Sequence, residues 1–346
     1  MKTETFRNRD YLTLLDYSRE EVETILDLAF ELKRKRAVGE KHHLLEDKTL
    51  FLIFYNQSLR TRNSFEAGMT QLGGHAHFLD PSKIYMPAME GREVAYSTER
   101  ISDVARTLAR MGEGIAIRCY GDPVDWEYGG AHGMIQEFAR WSHVPVINME
   151  CDKYHPCQAM ADLMTVKEKL GFQGTKFTMS WAYSPSVHKP RAVPQSAIIA
   201  AAKVGMEVTL AHPEGMDLDP EVLGACEQMA SQAGGSFRVT HDFEDGLKGA
   251  HVVYPKAWCA TPIFKSPVGK SDPKETQRIF DSHKDWICDR AHMELADKQA
   301  IYMHCLPCDR GFEVTDEVID GPQSAAFDEA ENRLHAQKAV MALVMR

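Results

Sequence analysis

Within five consecutive positions the chain places two hydroxyl residues and two arginines, Ser58-Leu59-Arg60-Thr61-Arg62. Hydroxyls and guanidinium forks grip phosphate and carboxylate oxygens, and a helix N-terminus adds backbone N–H groups and the positive end of a dipole. A capped helix with a solvated basic first turn is the plain alternative. Cations at a helix start oppose its dipole, however, so Arg60 and Arg62 gain from an anion there. Arg118, His155-Pro-Cys-Gln158, His304-Cys305-Leu306-Pro307 and Asp328-Glu-Ala-Glu-Asn-Arg333-Leu-His are further residues whose types could do chemistry. Each also has a structural reading: His155 as a helix cap, His304 as a satisfied core histidine, Arg333 as the partner of Glu329 on its own helix.

These residues need a frame. An apolar run from Thr49 to Tyr55 reads as a strand, and Phe65, Met69 and Leu72 give the next segment helical spacing up to Gly73-Gly74. The arginines therefore fall at a strand–loop–helix junction. Before it, Ser18-Arg-Glu-Glu21 forms a capping box for a helix to about Arg36. After it come a short strand from His75 to Leu79 and a polar stretch from Asp80 to Ser97 without a period, which reads as a covering loop. Thr98 to Met111 has helical spacing, and Gly114 to Ile117 is a buried-type strand with Arg118 at its C-terminal end, where open α/β sheets bind ligands. A helix within Gly129 to Trp141, a strand from Val144 to Asn148, and a long helix beginning in the Glu150 to Gln158 stretch and ending near Leu170 follow.

The second half repeats the alternation. Strands at Phe177 to Ala182, Glu207 to Ala211, Phe237 to Thr240 and His251 to Tyr254 alternate with helices at about Pro194 to Val204, Pro220 to Ala233 and Phe243 to Lys248. A short strand at Tyr302 to His304 and an amphipathic helix from Asp328 to Val344 close the chain. The pattern predicts parallel sheets with right-handed crossovers, and so an α/β fold of two domains. One spans residues 1–150, joined by the returning helix 328–346, and the other 151–327.

At 346 residues the chain is long enough for two cores. A formal net charge of -10 disfavours nucleic acid and acidic membranes as partners, so the clustered arginines read as a site for a small anion. The N-terminus has no signal-peptide core and no run of about 18 apolar residues occurs, which suggests a cytoplasmic protein. Eight cysteines are too few for a disulfide scaffold, and Cys305-Leu-Pro-Cys308 lacks a second pair to hold zinc, so no metal is expected. No GxGxxG follows a strand and no Walker A sequence is present, which removes the main support for a dinucleotide or NTP cofactor.

Together, SxRTR at Ser58 to Arg62, HPxQ at His155 to Gln158 and HCLP at His304 to Pro307 occur in the order found in the aspartate/ornithine carbamoyltransferase family, which the chain resembles across nearly its whole length. The resemblance implies transfer of a carbamoyl group from carbamoyl phosphate to an amino group. Ser58, Leu59 by its backbone, Arg60 and Thr61 would hold the phosphate, and Arg118 would bridge phosphate and carbonyl. His155, Gln158, Arg333 and the backbone carbonyls of Cys305 and Leu306 would hold the carbamoyl end, with Arg62 structural. Arg60, Thr61, Arg118 and His155 are the expected catalytic set. The family is a homotrimer with shared active sites closed by a neighbour's loop, and 80–97 lies where that loop belongs.

For the acceptor, ornithine enzymes place an Asp after the late strand and a Ser-Met-Gly segment nearby; here the sequence is Tyr254-Pro-Lys256-Ala-Trp258. A lysine repels the α-ammonium that an Asp attracts, and suits a carboxylate. The same feature marks the knotted branch that contains N-acetylornithine and N-succinylornithine carbamoyltransferases and a related group of uncertain substrate, which His304 to Asp309 and the loop described next resemble more closely. The proline-rich stretch Ala182 to Gln195 resembles that branch's knot loop, implying a trefoil knot in the second domain. Glu150, Lys256 and Asp309 are the expected acceptor-binding residues. Thr98, Asp309 and Glu313 depart from the acetylornithine enzymes, which have Glu, Arg and a carboxylated Lys there; Glu313 offers a similar negative charge without modification. An ornithine enzyme and a noncatalytic carbamoyl-phosphate-binding relative are the alternatives.

Overall fold

The apolar run predicted as the first strand does form one, and its burial on both faces explains why it lacks a polar alternation. The computed structural model describes residues 4–264 and 272–346. In chain order the first elements are α1 (Arg19–Ala37), β1 (Thr49–Phe54), α2 (Arg60–Gln71), β2 (His75–Leu79), β3 (Met86–Ala88), β4 (Thr98–Arg100), α3 (Ile101–Leu108), β5 (Gly114–Arg118), α4 (Gly130–Trp141), β6 (Val146–Glu150) and α5 (Pro156–Lys169). β7 (Lys176–Trp181), α6 (Ala192–Lys203), β8 (Glu207–Ala211), α7 (Pro220–Ala233), β9 (Ser236–Thr240), α8 (Phe243–Leu247) and β10 (Val252–Lys256) continue the alternation. The chain ends with α9 (Pro273–Asp281), α10 (Arg290–Leu295), β11 (Ile301–Tyr302), α11 (Asp316–Ile319) and α12 (Ala326–Val344).

Two units emerge, Met1–Met160 with Arg333–Arg346, and Ala161–Asn332. The divisions fall within α5 and α12, later in the chain than the expected breaks at 150 and 328. In the first unit a four-stranded parallel sheet runs β2-β1-β5-β6. Register aligns its C-terminal ends: Phe54 opposes Arg118, and Arg118 opposes Glu150 across a shift in pairing after Ile117. The capping box of α1 is present, with Glu21 N–H donating to Ser18 Oγ at 3.2 Å and Ser18 N–H donating to Glu21 Oε2 at 2.8 Å.

Two readings need correction. Glu150 belongs to β6 and not to a helix; α5 starts at Pro156, whose fixed φ and missing N–H suit a first helical position. Asp152, in the intervening turn, instead receives the backbone N–H groups of Gly129 and His132. Residues 80–97 are not wholly irregular: Pro81–Lys83 makes a 3-10 turn and β3 pairs in parallel with β4. β4 takes the first three residues of the predicted helix, with Thr98 Oγ1 accepting from Val94 N–H at 2.7 Å and Arg100 paired with Glu90 at 2.9 Å.

The second unit holds a five-stranded parallel sheet ordered β11-β10-β7-β8-β9. Its proline-rich segment 182–191 is tied to neighbouring loops: Cys259 N–H donates to the Lys189 carbonyl at 3.0 Å, and Arg191 Nη2 donates to Thr261 Oγ1 at 2.9 Å. Among the described residues no helix is long and apolar enough to cross a membrane.

Candidate active site

At the junction after β1, Thr61 N–H donates to Ser58 Oγ at 3.2 Å, so the serine hydroxyl closes the first turn of α2. Leu59 stands 71% exposed, which fits a residue whose contribution is its backbone. Arg62 is used locally: it pairs with Glu66 at 2.8 Å and lies 3.8 Å over the Phe78 ring. Thr61 is buried, and its Oγ1 accepts from Arg333 Nη2 at 2.8 Å.

Arg333 gathers the first unit's polar residues. Its Nη1 donates to Gln158 Oε1 at 2.6 Å, and with the Gln337 amide turned to satisfy its neighbours, Gln337 accepts from Arg333 Nε at 3.0 Å. That orientation also lets Gln337 donate to Ser64 Oγ at 2.5 Å. The possible Arg333–Glu329 pair on one helix is not made. The Thr61, Gln158 and Gln337 oxygens that Arg333 meets are all neutral, and burial lowers its pKa from the ordinary value. A buried cation without a carboxylate on its fork is costly, and a bound anion would offset that cost.

Arg118, at the end of β5, is buried and ion-pairs with Glu150 at the end of β6; its Nη2 donates to the Tyr120 hydroxyl at 3.1 Å. Burial opposes its charge, but Glu150 and Tyr120 together outweigh it and the pKa is raised. Asn56 ties the loops after β1 and β5 together, accepting from Tyr120 N–H at 2.8 Å and donating to the Tyr120 carbonyl at 3.0 Å. His155, one residue before α5, places Nε2 at 3.7 Å from Glu150 Oε2. Burial, then the charges of Arg333, Arg118 and Arg60, hold its pKa well below the usual histidine range. The imidazole is therefore held in its neutral form. Ser58, Arg60, Thr61, Arg118, His155, Gln158 and Arg333 all belong to the first unit, as does Glu150.

In the second unit, Lys256 Nζ donates to Glu313 Oε1 at 3.0 Å and to the Ala257 carbonyl at 3.2 Å. Glu313 is fully buried, accepting also from Ala257 N–H and Asp309 N–H, each at 2.7 Å. Burial would raise its pKa, yet Lys256 and His304 hold it well below the carboxylate range, while Glu313 raises that of Lys256 despite burial. Asp309 accepts from Ser184 Oγ at 2.6 Å and Lys189 Nζ at 2.8 Å. His304 directs Nδ1 to Leu306 N–H at 2.9 Å and Nε2 toward Glu313 Oε2 at 3.4 Å. Cys305 and Leu306 follow it in this turn.

Sequence reading did not find Gln337, Tyr120, Ser184 or Lys189. Gln337 had one signal, its spacing of four from Arg333 on a helix. The other three are recruited by strand register and loop packing, which no local spacing encodes.

Two parallel α/β sheets, the first carrying hydroxyl and arginine residues at its strand ends, define a two-unit α/β protein. Residues 9–168 match the aspartate/ornithine carbamoyltransferase family description of a carbamoyl-P binding domain, and 189–344 match its Asp/Orn binding domain. Ornithine carbamoyltransferase of Thermococcus kodakarensis is 40% identical over 338 residues, covering 97% of this chain and 96% of that protein. The crystal structure of an acetylornithine transcarbamylase complexed with acetylcitrulline superposes with a TM-score of 0.89 at 36% identity, covering 98% of this chain and 99% of that one. The ornithine carbamoyltransferase structure from Pyrococcus furiosus gives 0.83 at 39% identity, with 98% of both chains covered. The chain belongs to the aspartate/ornithine carbamoyltransferase family and is a carbamoyltransferase.

Proposed function

We propose that the chain moves the carbamoyl group of carbamoyl phosphate to the amino group of a carboxylate-bearing acceptor without a free α-ammonium, an N-acylornithine or a close relative, and releases phosphate. Ser58, the Leu59 N–H, Arg60 and Thr61 take the phosphate. Thr61, Arg118 and neutral His155 donate to the carbamoyl oxygen as charge builds there; Gln158, Arg333 and the carbonyls of Cys305 and Leu306 hold the carbamoyl end. The acceptor's neutral amine attacks the carbamoyl carbon directly, so no covalent intermediate on the protein is needed. Loss of one donor to the developing oxyanion costs about 10²–10³ in rate, and Arg118→Ala should lose at least that much while remaining folded.

The observation that carries the acceptor assignment is the pairing of charges in the second unit. Glu313 and Asp309, two carboxylates of that unit, are matched by Lys256 and Lys189. Neither is left to meet an α-ammonium, and Lys256 keeps a third N–H suited to an acceptor carboxylate. Glu150 is the remaining acceptor-side candidate, available once Arg118 turns to the donor. Ornithine as acceptor is the second reading, favoured by the 40% identity to an ornithine enzyme. Carbamoyl phosphate offered with ornithine, N-acetylornithine, N-succinylornithine and shorter diamino acids separates the two. Faster turnover with an acylated amine is expected; a clear preference for ornithine overturns the assignment.

A further inference from the structure

We propose that Glu329 is a positioning residue for carbamoyl transfer, acting through the backbone of the His304–Leu306 turn. The inference rests on the reading above that the Cys305 and Leu306 carbonyls take the carbamoyl group. Glu329 lies on α12 with no exposed surface, and both carboxyl oxygens are engaged within the second unit. Oε1 accepts from the Tyr254 hydroxyl at 3.1 Å and Oε2 from His304 N–H at 2.9 Å. Asp162 on α5 hydrogen-bonds the same group, and burial together with Asp162 pushes the Glu329 carboxyl well above the usual carboxylate range. Two carboxyls in contact cannot both ionise, so the pair shares a proton and can stay buried with both oxygens of Glu329 still accepting.

That arrangement ends at a turn with an unusual conformation. Leu306 has φ +53°, a left-handed value that costs a residue with a side chain and persists only when its surroundings hold it. The hold has two steps. Glu329 fixes the His304 backbone N–H, and the His304 ring, with Nε2 facing Glu313, accepts the Leu306 N–H at Nδ1. Both N–H groups are thereby fixed inside the unit, which sets the direction of the peptide carbonyls between and beyond them. Glu329 touches no substrate; its effect passes through this turn.

The test compares full-length wild type with Glu329→Ala, Glu329→Gln and Glu329→Asp, using steady-state carbamoyl transfer and hydrogen exchange at the His304 and Leu306 amides. Glu329→Gln keeps an oxygen for His304 N–H and gains an NH2 for Asp162, so its KM for carbamoyl phosphate stays within about threefold of wild type. Glu329→Ala raises that KM roughly tenfold or more, with kcat changed less, and speeds exchange at both amides about tenfold. Where Glu329→Ala does not fold, Glu329→Asp, which withdraws the carboxyl by one methylene, should give the same signature. A purely structural role would lower the amount of active enzyme with KM and exchange unchanged, and that result overturns the proposal. Absence of carbamoyl transfer in wild type with every acceptor would instead sink the proposed function. The exchange measurement then decides Glu329 alone, with unaltered rates in the variants counting against it.

Discussion

Glu150 and His155 make opposite demands on charge, and both can be tested singly. The Glu150 carboxylate ion-pairs with the Arg118 guanidinium that the proposed donor also needs. A Glu150→Gln enzyme leaves a buried guanidinium without its counter-ion, so we expect the unliganded protein to lose roughly 1–3 kcal/mol of stability. Inorganic phosphate should bind about fivefold more tightly by calorimetry because a competing negative charge is gone. Weaker phosphate binding would show that Glu150 supports the anion seat instead. For His155, the depressed pKa means the folded state stays neutral while the unfolded chain takes a proton below about pH 6.5. Stability from this residue is therefore present above that pH and falls as the pH drops below it, by up to about 1.4 kcal/mol per unit. A His155→Asn variant should lose that slope in denaturant titrations at successive pH values. Ser58 to Arg62 were singled out in the sequence because five adjacent positions carry their own signal. Glu150 as the partner of Arg118 was not, because the contact depends on the register between β5 and β6.

Helix α12 carries buried polar groups along its length, and this explains why its amphipathic reading was only partly informative. Arg333, Gln337 and Lys338 are all buried, and Lys338 Nζ reaches His42 Nε2 at 3.1 Å and Gln71 Oε1 at 2.9 Å. Burial, with Arg36 nearby, lowers the Lys338 pKa to about 8. An unfolded lysine titrates near 10.4, so between about pH 8 and 10.4 the unfolded state binds the extra proton and stability rises with pH. Replacement by Met should abolish that rise in urea titrations at pH 7.5, 8.5 and 9.5; an unchanged slope would place the titration elsewhere. Periodicity found β8 and α7 with correct ends, since alternating burial and an Asp-Pro cap are local signals. It missed α9, α10 and α11, which are four to nine residues long and too short for a period to accumulate.

At the scale of the whole molecule, the proposed acceptor was the least legible feature, because that proposal rests on which lysine neutralises which carboxylate once Ser184, Lys189, Lys256, Asp309 and Glu313 have been folded together. Assembly is equally a property that one chain does not encode locally. Between residues 84 and 96 the first unit leaves Tyr96 94% exposed, with Val94 and Tyr85 more than half exposed. Apolar side chains in that density suit a covering partner, and the trimer with shared sites that the resemblance implies would give them one. Light scattering should return three times the 39.0 kDa chain mass. Sharing itself is tested by mixing two inactive proteins, Arg118→Ala and a variant with residues 89–96 replaced by a Gly-Ser linker. The first lacks its own donor site and keeps the loop; the second has the reverse. Random co-assembly in equal amounts makes about a quarter of the sites whole, since each needs one subunit of either kind in a fixed order around the ring. Recovery of about that fraction of wild-type activity supports loop exchange between neighbours. A mixture as inactive as its components would mean that each chain closes its own site.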